Sequence, residues 1–550
     1  MLFAGSLDLI NEKLNPNRMQ KNLRIAVIIV FLLSQFVLSY AQSTFVRRAG
    51  SSSGDYGVSC NPTADGGTIL VMPSSTIGID LYSALIKFDN IGNVQWSTKY
   101  RVGEYTDPYT VLPAKDNGYI VLGMSLDRAL INYNHYFISL YKTDDLGITQ
   151  WNKQFSFSPS DMPLNLVYRK AGGYISFSQG DYNTGTYPSM VVTAYHDNGN
   201  IIWSKKYFQG YGLRGSKGIE MPNHNICFVG TVGDPVNTTF LDVVVTMLDP
   251  LGNILWCKTF GTFYDDEPYA IAVNSSNEIF ITGRNYIMGR EWDSFLIKLD
   301  SLGNKTGSMV YDGGTNNGEI MRCILAFDDG SCKLLGDMGT FDERDIVMLN
   351  IDSNLLISSA CRYSFSPMYT NYPYDLYKTS DGGIIFTGDY RPPAAFRDAI
   401  LTKTESDGTL PCFMSHPVFT EHNEVFSDTI QSITTHVVSV TTLNFPDTIP
   451  VVTFLSNVVC ALTAEVPEPE ISSPSIFPNP VTDVLFIEIT DGIQINSVSL
   501  INMEGKIVFE KIISKHENFL RINMIDLPAG LYTLKYLMDT KVRVEKIVKN

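Results

Sequence analysis

The chain has 550 residues, enough for a large core and more than one domain. Its formal charge of −16 excludes the basic stripe that a phosphate backbone requires, so no nucleic-acid partner is expected. Aromatic residues reach 12% and the chain holds 42 glycines, a composition of short strands and turns that points to an all-β protein.

In chain order, Lys21 and Arg24 precede an apolar run from Ile25 to Leu38 that ends at Ser39-Tyr40-Ala41, before Gln42. A charged start, an apolar middle and an Ala-x-Ala-like exit spell a secretory signal peptide over residues 1–41, with Met19 its more ordinary start. The run is short for a membrane span. No other window is apolar enough to cross, so the mature chain is expected to lack a transmembrane segment.

Residues 42–412 repeat. Trp96, Trp151, Trp203 and Trp256 close the same phrase after an Asp-x-x-Gly turn, as in Asp89-Asn90-Ile91-Gly92 before Asn93-Val94-Gln95-Trp96. Weaker copies put anchors at 307, 357 and 412, so the period is 50 to 55 residues. About 30 residues before each anchor stands a Gly turn and an apolar run, as in Gly66-Gly67-Thr68-Ile69-Leu70 and Gly382-Gly383-Ile384-Ile385-Phe386. Each period therefore holds four strands, A to D, the arithmetic of a β-propeller blade. The recurring Trp is expected to wedge one blade against the next.

An open ring would leave a strand edge exposed. Gln42-Ser43-Thr44-Phe45-Val46-Arg47-Arg48 aligns with the D strand Gln95-Trp96-Ser97-Thr98-Lys99-Tyr100-Arg101. Counting it gives seven A-B-C sets and seven D strands: a seven-bladed β-propeller of four-stranded blades, closed by residues 43–49. Residues 413–470 lose these marks and read as a short β-rich extension and a linker rich in Pro, Glu and Ser.

The last segment, 471–550, alternates apolar and polar residues around short turns, the pattern of a small Ig-like β-sandwich. It carries Pro478-Asn479-Pro480, the turn Gly505-Lys506, the strand Gly530-Leu531-Tyr532 and a basic end with Lys546 and Lys549. In that order it resembles the type A C-terminal sorting domain of proteins exported by the type IX (Por) secretion system. The resemblance implies the type IX machinery as a partner and removal of this domain on export. It also implies a secreted or cell-surface location, with the protein released or attached to surface lipopolysaccharide. The repeats resemble secreted bacterial propellers that precede such domains, and those often carry a flanking disulfide. By that resemblance Cys412 and Cys460 would bridge the ends of the extension.

Little catalytic chemistry is legible. His135, His196 and His224 fall in three different blades, and there is no Cys-x-x-Cys, Gly-x-Ser-x-Gly or Walker loop. No catalytic residue, metal or cofactor is assigned. Cys323 and Cys332 flank a turn and read equally as a pair or as buried thiols; Cys60, Cys227, Cys257 and Cys361 read as core. Asp242, Asp293 and Asp398 recur where strand C begins and read as turn caps, and Asp265-Asp266-Glu267 reads as a solvated loop.

The A–B and C–D turns are short, whereas the B–C loops and D–A crossings vary in length and emerge together on the opposite face. Binding residues favour variable loops on a rigid scaffold. That face offers Tyr105, Tyr133, Tyr182, Tyr211, Tyr264, Tyr286, Trp292 and Tyr390, interleaved with Arg284, Arg290 and Arg391. Rings with hydrogen-bonding tips suit sugars or peptides. The expected function is a propeller binding module for a polysaccharide or a surface protein. A carboxylate-based glycan hydrolase or lyase, or a spacer without a ligand, are the alternatives.

Overall fold

The structure, a computed structural model, describes most of residues 43–462 and 475–550. The larger stretches outside it are 1–42, 76–80, 127–135, 182–187, 234–239, 392–396, 444–454, 463–474, 489–494 and 514–518, so the signal peptide and most of the linker fall outside the described residues. Two compact units are present, 1–464 and 465–550.

The first unit is all β and holds seven antiparallel meander sheets among the described residues. Sheet 1 runs Ser59–Pro62, Thr68–Ser75, Leu81–Phe88 and Val94–Tyr100; sheet 2, Tyr105–Pro113, Tyr119–Leu126, Tyr136–Thr143 and Thr149–Ser156. Sheet 3 runs Met162–Tyr168, Tyr174–Gly180, Ser189–Tyr195 and Ile201–Phe208; sheet 4, Leu213–Glu220, Ile226–Gly233, Leu241–Leu248 and Ile254–Gly261. Sheet 5 runs Asp266–Val273, Ile279–Ile287, Glu291–Leu299 and Lys305–Asp312; sheet 6, Glu319–Ala326, Cys332–Gly339, Arg344–Ile351 and Ile357–Tyr363. Sheet 7 takes Pro373–Lys378, Ile384–Tyr390 and Asp398–Thr404 from one end of the repeat region and Thr44–Gly50 from the other. Arg47 lies opposite Leu401 in that pairing.

The B and C strands are apolar on both sides because both faces of every sheet are covered. Sheets 4 and 5, for example, enclose Val229, Val245, Phe260, Ile281, Phe295 and Ile297. Similar clusters lie between each consecutive pair, and Phe45, Ala49 and Leu401 of sheet 7 pack with Leu70, Met72 and Ile86 of sheet 1. The sheets thus follow one another in a propeller-like cycle, although no sheet closes on itself.

Turn chemistry fixes the hairpin end. Gly92 has φ of 82° and donates to the Asp89 carbonyl, while the Asp89 carboxylate accepts from the amides of Ile91 and Asn93. This is a type I turn with a glycine bulge, which demands the left-handed conformation at its fourth residue. The Trp of each sheet lies on that glycine of the following sheet. A Cβ at Gly147, Gly199, Gly252 or Gly303 would meet the indole of Trp96, Trp151, Trp203 or Trp256 at 2.6–2.8 Å. Four residues after the Trp position, Tyr207 donates to the Gly252 carbonyl (2.7 Å), Tyr311 to that of Leu355 (2.9 Å) and Tyr363 to that of Gly408 (2.5 Å). Tyr100 donates likewise to Gly147. In the N-terminal strand the register differs by two residues from the sequence alignment. Phe45 lies opposite Lys403 as Trp96 lies opposite Lys87, so Phe45 takes the Trp position against Gly92 and Ala49 takes that of Tyr100. Arg47, between them, donates to the carbonyls of Gly92 and Ile91.

The extension forms no layer of its own. Its segments Met414–Ser415, Thr420–His422, Ser427–Ile430, Thr434–Val437 and Thr441–Leu443 add a fifth antiparallel strand to sheets 6, 5, 4, 3 and 2 in turn. Leu455–Leu462 then adds to the N-terminal strand of sheet 7. The segment is therefore a belt that runs backwards round the sheets and covers their outer edges, the places most prone to unwanted pairing. Cys412, at its start, is disulfide-bonded. The side chain of Cys460 lies outside the described residues. Cys60, Cys227, Cys257, Cys323, Cys332 and Cys361 are free and buried. Cys323 pairs across to Leu335 and Cys332 to Ala326, so these two do not face each other.

The second unit is a two-sheet sandwich: Ser475–Phe477, Val484–Glu488 and Phe519–Asn523 against Ile507–Ile512, Ile495–Asn502, Gly530–Met538 and Lys541–Lys549. Alternate residues Leu485, Ile487, Val498, Leu500, Leu534 and Tyr536 fill its core. Tyr532 is buried, with its hydroxyl donating to the Pro528 carbonyl (2.7 Å). Pro478, Pro480, Lys506, Lys546 and Lys549 line the exposed edge or termini of these strands, and Leu531 is half-buried; Asn479 and Gly505 lie outside the described residues.

Candidate functional site

The A strands are the innermost, and six of them slip register at one place. The extra residues are Tyr109, Leu164, Ser216, Tyr269, Arg322 and Tyr374. A β-bulge bends a strand and re-aims a side chain. Here the bulges sit near the loop-rich ends of the strands, at intervals of one repeat. Proline precedes four of them, at 108, 163, 268 and 373. It cannot donate to the ladder and favours such irregular sites. That recurring Pro is the mark the bulges leave in the sequence, fainter than the Trp phrase.

Beneath the bulges lies a cavity of about 690 Å³ lined by residues of all seven inner strands and their approaches, including Tyr56, Asp107, Tyr109, Lys217, Tyr374 and Asp375. Burial pushes the Asp107 carboxyl up to about 7. Burial also raises Asp375, against the opposing pull of Lys217, while the Ser59 hydroxyl donates to its carboxylate at 2.7 Å. Tyr56 and Tyr374 lie with ring centroids 6.0 Å apart, and burial raises both phenols.

At the loop-rich rim of sheets 5 to 7, the mouth, rings and guanidinium groups alternate beside the cavity without lining it. Arg284 lies 4.0 Å from the centre of the Trp292 ring and 5.8 Å from that of Tyr269. Arg322 lies 5.5 Å from the centre of Tyr269 and 4.9 Å from that of Tyr372. Glu267 accepts from Arg284 (2.9 Å), and the buried Asp337 accepts from both Arg322 and Arg344. Burial alone would lower the Arg322 guanidinium, but Asp337 beside it wins and raises it. Arg397 pairs with Asp389 at 3.2 Å. Burial pushes Asp389 up to about 6 in spite of that pair.

The stack continues outward. Trp292 meets Tyr286 edge-on at 5.4 Å, Tyr286 meets Tyr264 at 5.9 Å, and Tyr264 meets Phe263 at 5.4 Å. Phe263 and Met288, 73% and 75% exposed, are left at the rim. Of the ring and arginine residues expected on this face, the structure thus brings together Tyr264, Tyr286, Trp292 and Arg284. Tyr105 lies apart on sheet 2, beside Asp107, and burial raises its phenol. Tyr390 lies on sheet 7 under the Arg48 guanidinium (5.3 Å), and Arg391 is exposed after it. Tyr133, Tyr182, Tyr211 and Arg290 fall outside the described residues.

Several acidic residues have different roles from those the sequence suggests. The run 265–267 is not a solvated loop. Asp265 accepts from the Leu241 amide, Asp266 from Thr262 and Asn285, and Glu267 from Arg284. Burial pushes Asp266 up to about 7. Asp398 reaches across to Arg48 of the neighbouring strand instead of capping its own turn. Asp293, with Asp312 and Glu319, forms the described group that could hold a metal ion, their ligand oxygens all within 4.8 Å. His422 of the belt approaches Asp312 at 3.7 Å. An all-oxygen set suits a hard cation; such acidic groups are also common without one.

Residues 475–550 match the family model of the secretion system C-terminal sorting domain. That domain marks proteins that the type IX system delivers to the cell surface or the extracellular space. No curated protein matches the chain. Among solved structures, a protein of unknown function from Dyadobacter fermentans is 9% identical, with a TM-score of 0.39 over 66% of this chain and 98% of that one. Sqt1 from Chaetomium thermophilum is also 9% identical, with a TM-score of 0.35 over 66% and 99%. Likenesses this distant carry no argument about function.

Proposed function

We propose that this protein, secreted through the type IX system, is a seven-bladed β-propeller binding module whose loop-rich mouth takes a glycan, with the sorting domain removed on export. The observation that carries the reading is the continuous shelf of rings and guanidinium groups from Tyr264 to Tyr372 beside the central cavity. Flat apolar faces with polar tips match the faces and hydroxyls of sugar rings. The repeated packing of each sheet on the next, including sheet 7 on sheet 1, supports a closed ring as the scaffold. A Cys412–Cys460 bridge would tie the two ends of the belt to it.

Asp107 favours a second reading. A carboxyl poised near neutrality inside a cavity has the property of a general acid. Glycan hydrolysis needs a second, ionised carboxylate across the bond. Asp375 is in the cavity but is engaged by Ser59, so binding without cleavage is the primary reading. A glycan-array screen of the secreted protein, scored for both retained ligands and cleaved products, tests it. Retention of intact glycan is expected. Cleavage would replace it with the enzyme, and silence on all glycans would sink both.

A further inference from the structure

The Arg322 guanidinium is held more firmly than an ordinary exposed arginine. Tyr269 and Tyr372 cover its two sides, and its Nε donates to Asp337, which is fully buried. Among the described residues nothing accepts from its Nη1 and Nη2, and the side chain is still 25% exposed. The result is a guanidinium held at Nε whose two terminal nitrogens remain available as a fork of donors. Arg284, 24% exposed, is arranged similarly, with Nε and Nη2 on Glu267 and Nη1 left over. Asp337 serves Arg344 as well as Arg322, so the four cations Arg284, Arg322, Arg344 and Arg397 face three carboxylates, Glu267, Asp337 and Asp389. Asp107 faces Tyr56 together with Asp389 and Arg397, so the guanidinium groups are matched in number by carboxylates, and the Arg322 fork is set apart by geometry and not by excess charge.

A preorganised guanidinium fork recognises a planar carboxylate bidentately and loses little entropy in doing so. We infer that the mouth selects sugars that carry a carboxylate, a uronic-acid type of glycan, with the sugar ring on the aromatic shelf and its carboxylate on the free side of Arg322. This rests on the glycan reading above and narrows it to acidic sugars. Protonation supports it. As pH falls from 8 towards 6, Asp107 and Asp389, which face Tyr56 together with Arg397, take up protons, and Asp389 releases Arg397, while the ligand's carboxylate stays ionised. Affinity should therefore rise over that interval.

Calorimetric titration of the full chain with polygalacturonate oligomers, their methyl esters and dextran sulfate tests the inference. The acid should bind at least tenfold more tightly than the ester. Arg322→Lys, which keeps the charge beside Asp337 and loses the fork, should remove most of that preference with little change in melting temperature. Arg397→Gln, on a more exposed pair, should reduce the gain at low pH to the part that Asp107 supplies. Equal binding of acid and ester would overturn the inference and leave glycan binding standing. Tighter binding of dextran sulfate, unchanged in Arg322→Lys, would overturn it in favour of bulk charge. No binding to these acids alongside a neutral-glycan ligand would also overturn it, and no binding to any glycan would remove both readings.

Discussion

The two ends of the seven sheets carry the same repeat and use it in opposite ways. At the hairpin end position and much of the chemistry recur: a left-handed residue in the turn, an indole against it from each of sheets 1 to 4, and a hydroxyl donated to its carbonyl by Tyr100, Tyr207, Tyr311 and Tyr363. At the mouth only the position recurs. The bulge stands at one place in six A strands, but the residues there are three Tyr, a Leu, a Ser and an Arg. Where the chemistry repeats, every junction solves the same packing problem. Where a fixed geometry presents different side chains, the scaffold is displaying a surface.

Substitutions separate the two ends. The largest effect is expected from Gly252→Ala, which strains a residue at φ 76° and drives a Cβ to 2.8 Å from the Trp203 ring. Denaturant titration should show a loss of about 2–4 kcal/mol with little effect on ligand binding at low denaturant. Cys412→Ser should come next. Freeing the belt removes a disulfide, a cost of about 2–4 kcal/mol, and hydrogen exchange should rise first in the belt strands. Trp203 is only half-buried, so its truncation to Ala should cost about 2 kcal/mol, less than a fully buried ring. At the mouth Tyr269→Ala should invert the pattern, with a small change in stability and at least a tenfold loss of ligand.

The smallest effect is a pH-dependent one at Asp107. Its folded pKa, about 7, lies above its unfolded value, so the cost of the buried charge is fully felt above pH 7. That cost fades as pH falls through 7 towards the ordinary carboxylate range. Asp107→Asn should therefore raise the melting temperature at pH 8 and leave it nearly unchanged at pH 4.5. An equal shift at both values would place Asp107 in a polar, solvated setting.

The hairpin end was legible because turn chemistry is local. Asp89 to Asn93 contains every group that the turn needs, and a ring three residues on marks the junction. The N-terminal strand was legible as a D strand but not in register: Phe45, not Ser43, takes the Trp position, and Arg47, two residues on, donates to the Gly92 carbonyl where other sheets use a Tyr four residues on. The belt was readable as β but not as a belt. Its five segments up to Leu443 hold two to four residues each, too short for apolar alternation to show. The mouth was only half legible. Tyr264, Tyr286 and Trp292 stood out as loop aromatics, but Tyr269, Arg322 and Tyr372 lie on or just before A strands, about one repeat apart, and meet only through the packing of neighbouring sheets.

The most direct test compares the two ends in one experiment: retention of the array-identified glycan by the secreted protein, by Tyr269→Ala/Tyr374→Ala at the mouth, and by Tyr207→Phe at the hairpin end. The mouth variant should melt within a few degrees of the parent and lose the ligand. Tyr207→Phe, which loses its hydrogen bond to Gly252, should melt lower and keep it. Full retention by the mouth variant, or loss in the hairpin variant at a temperature where it is folded, would contradict the assignment of binding to the mouth.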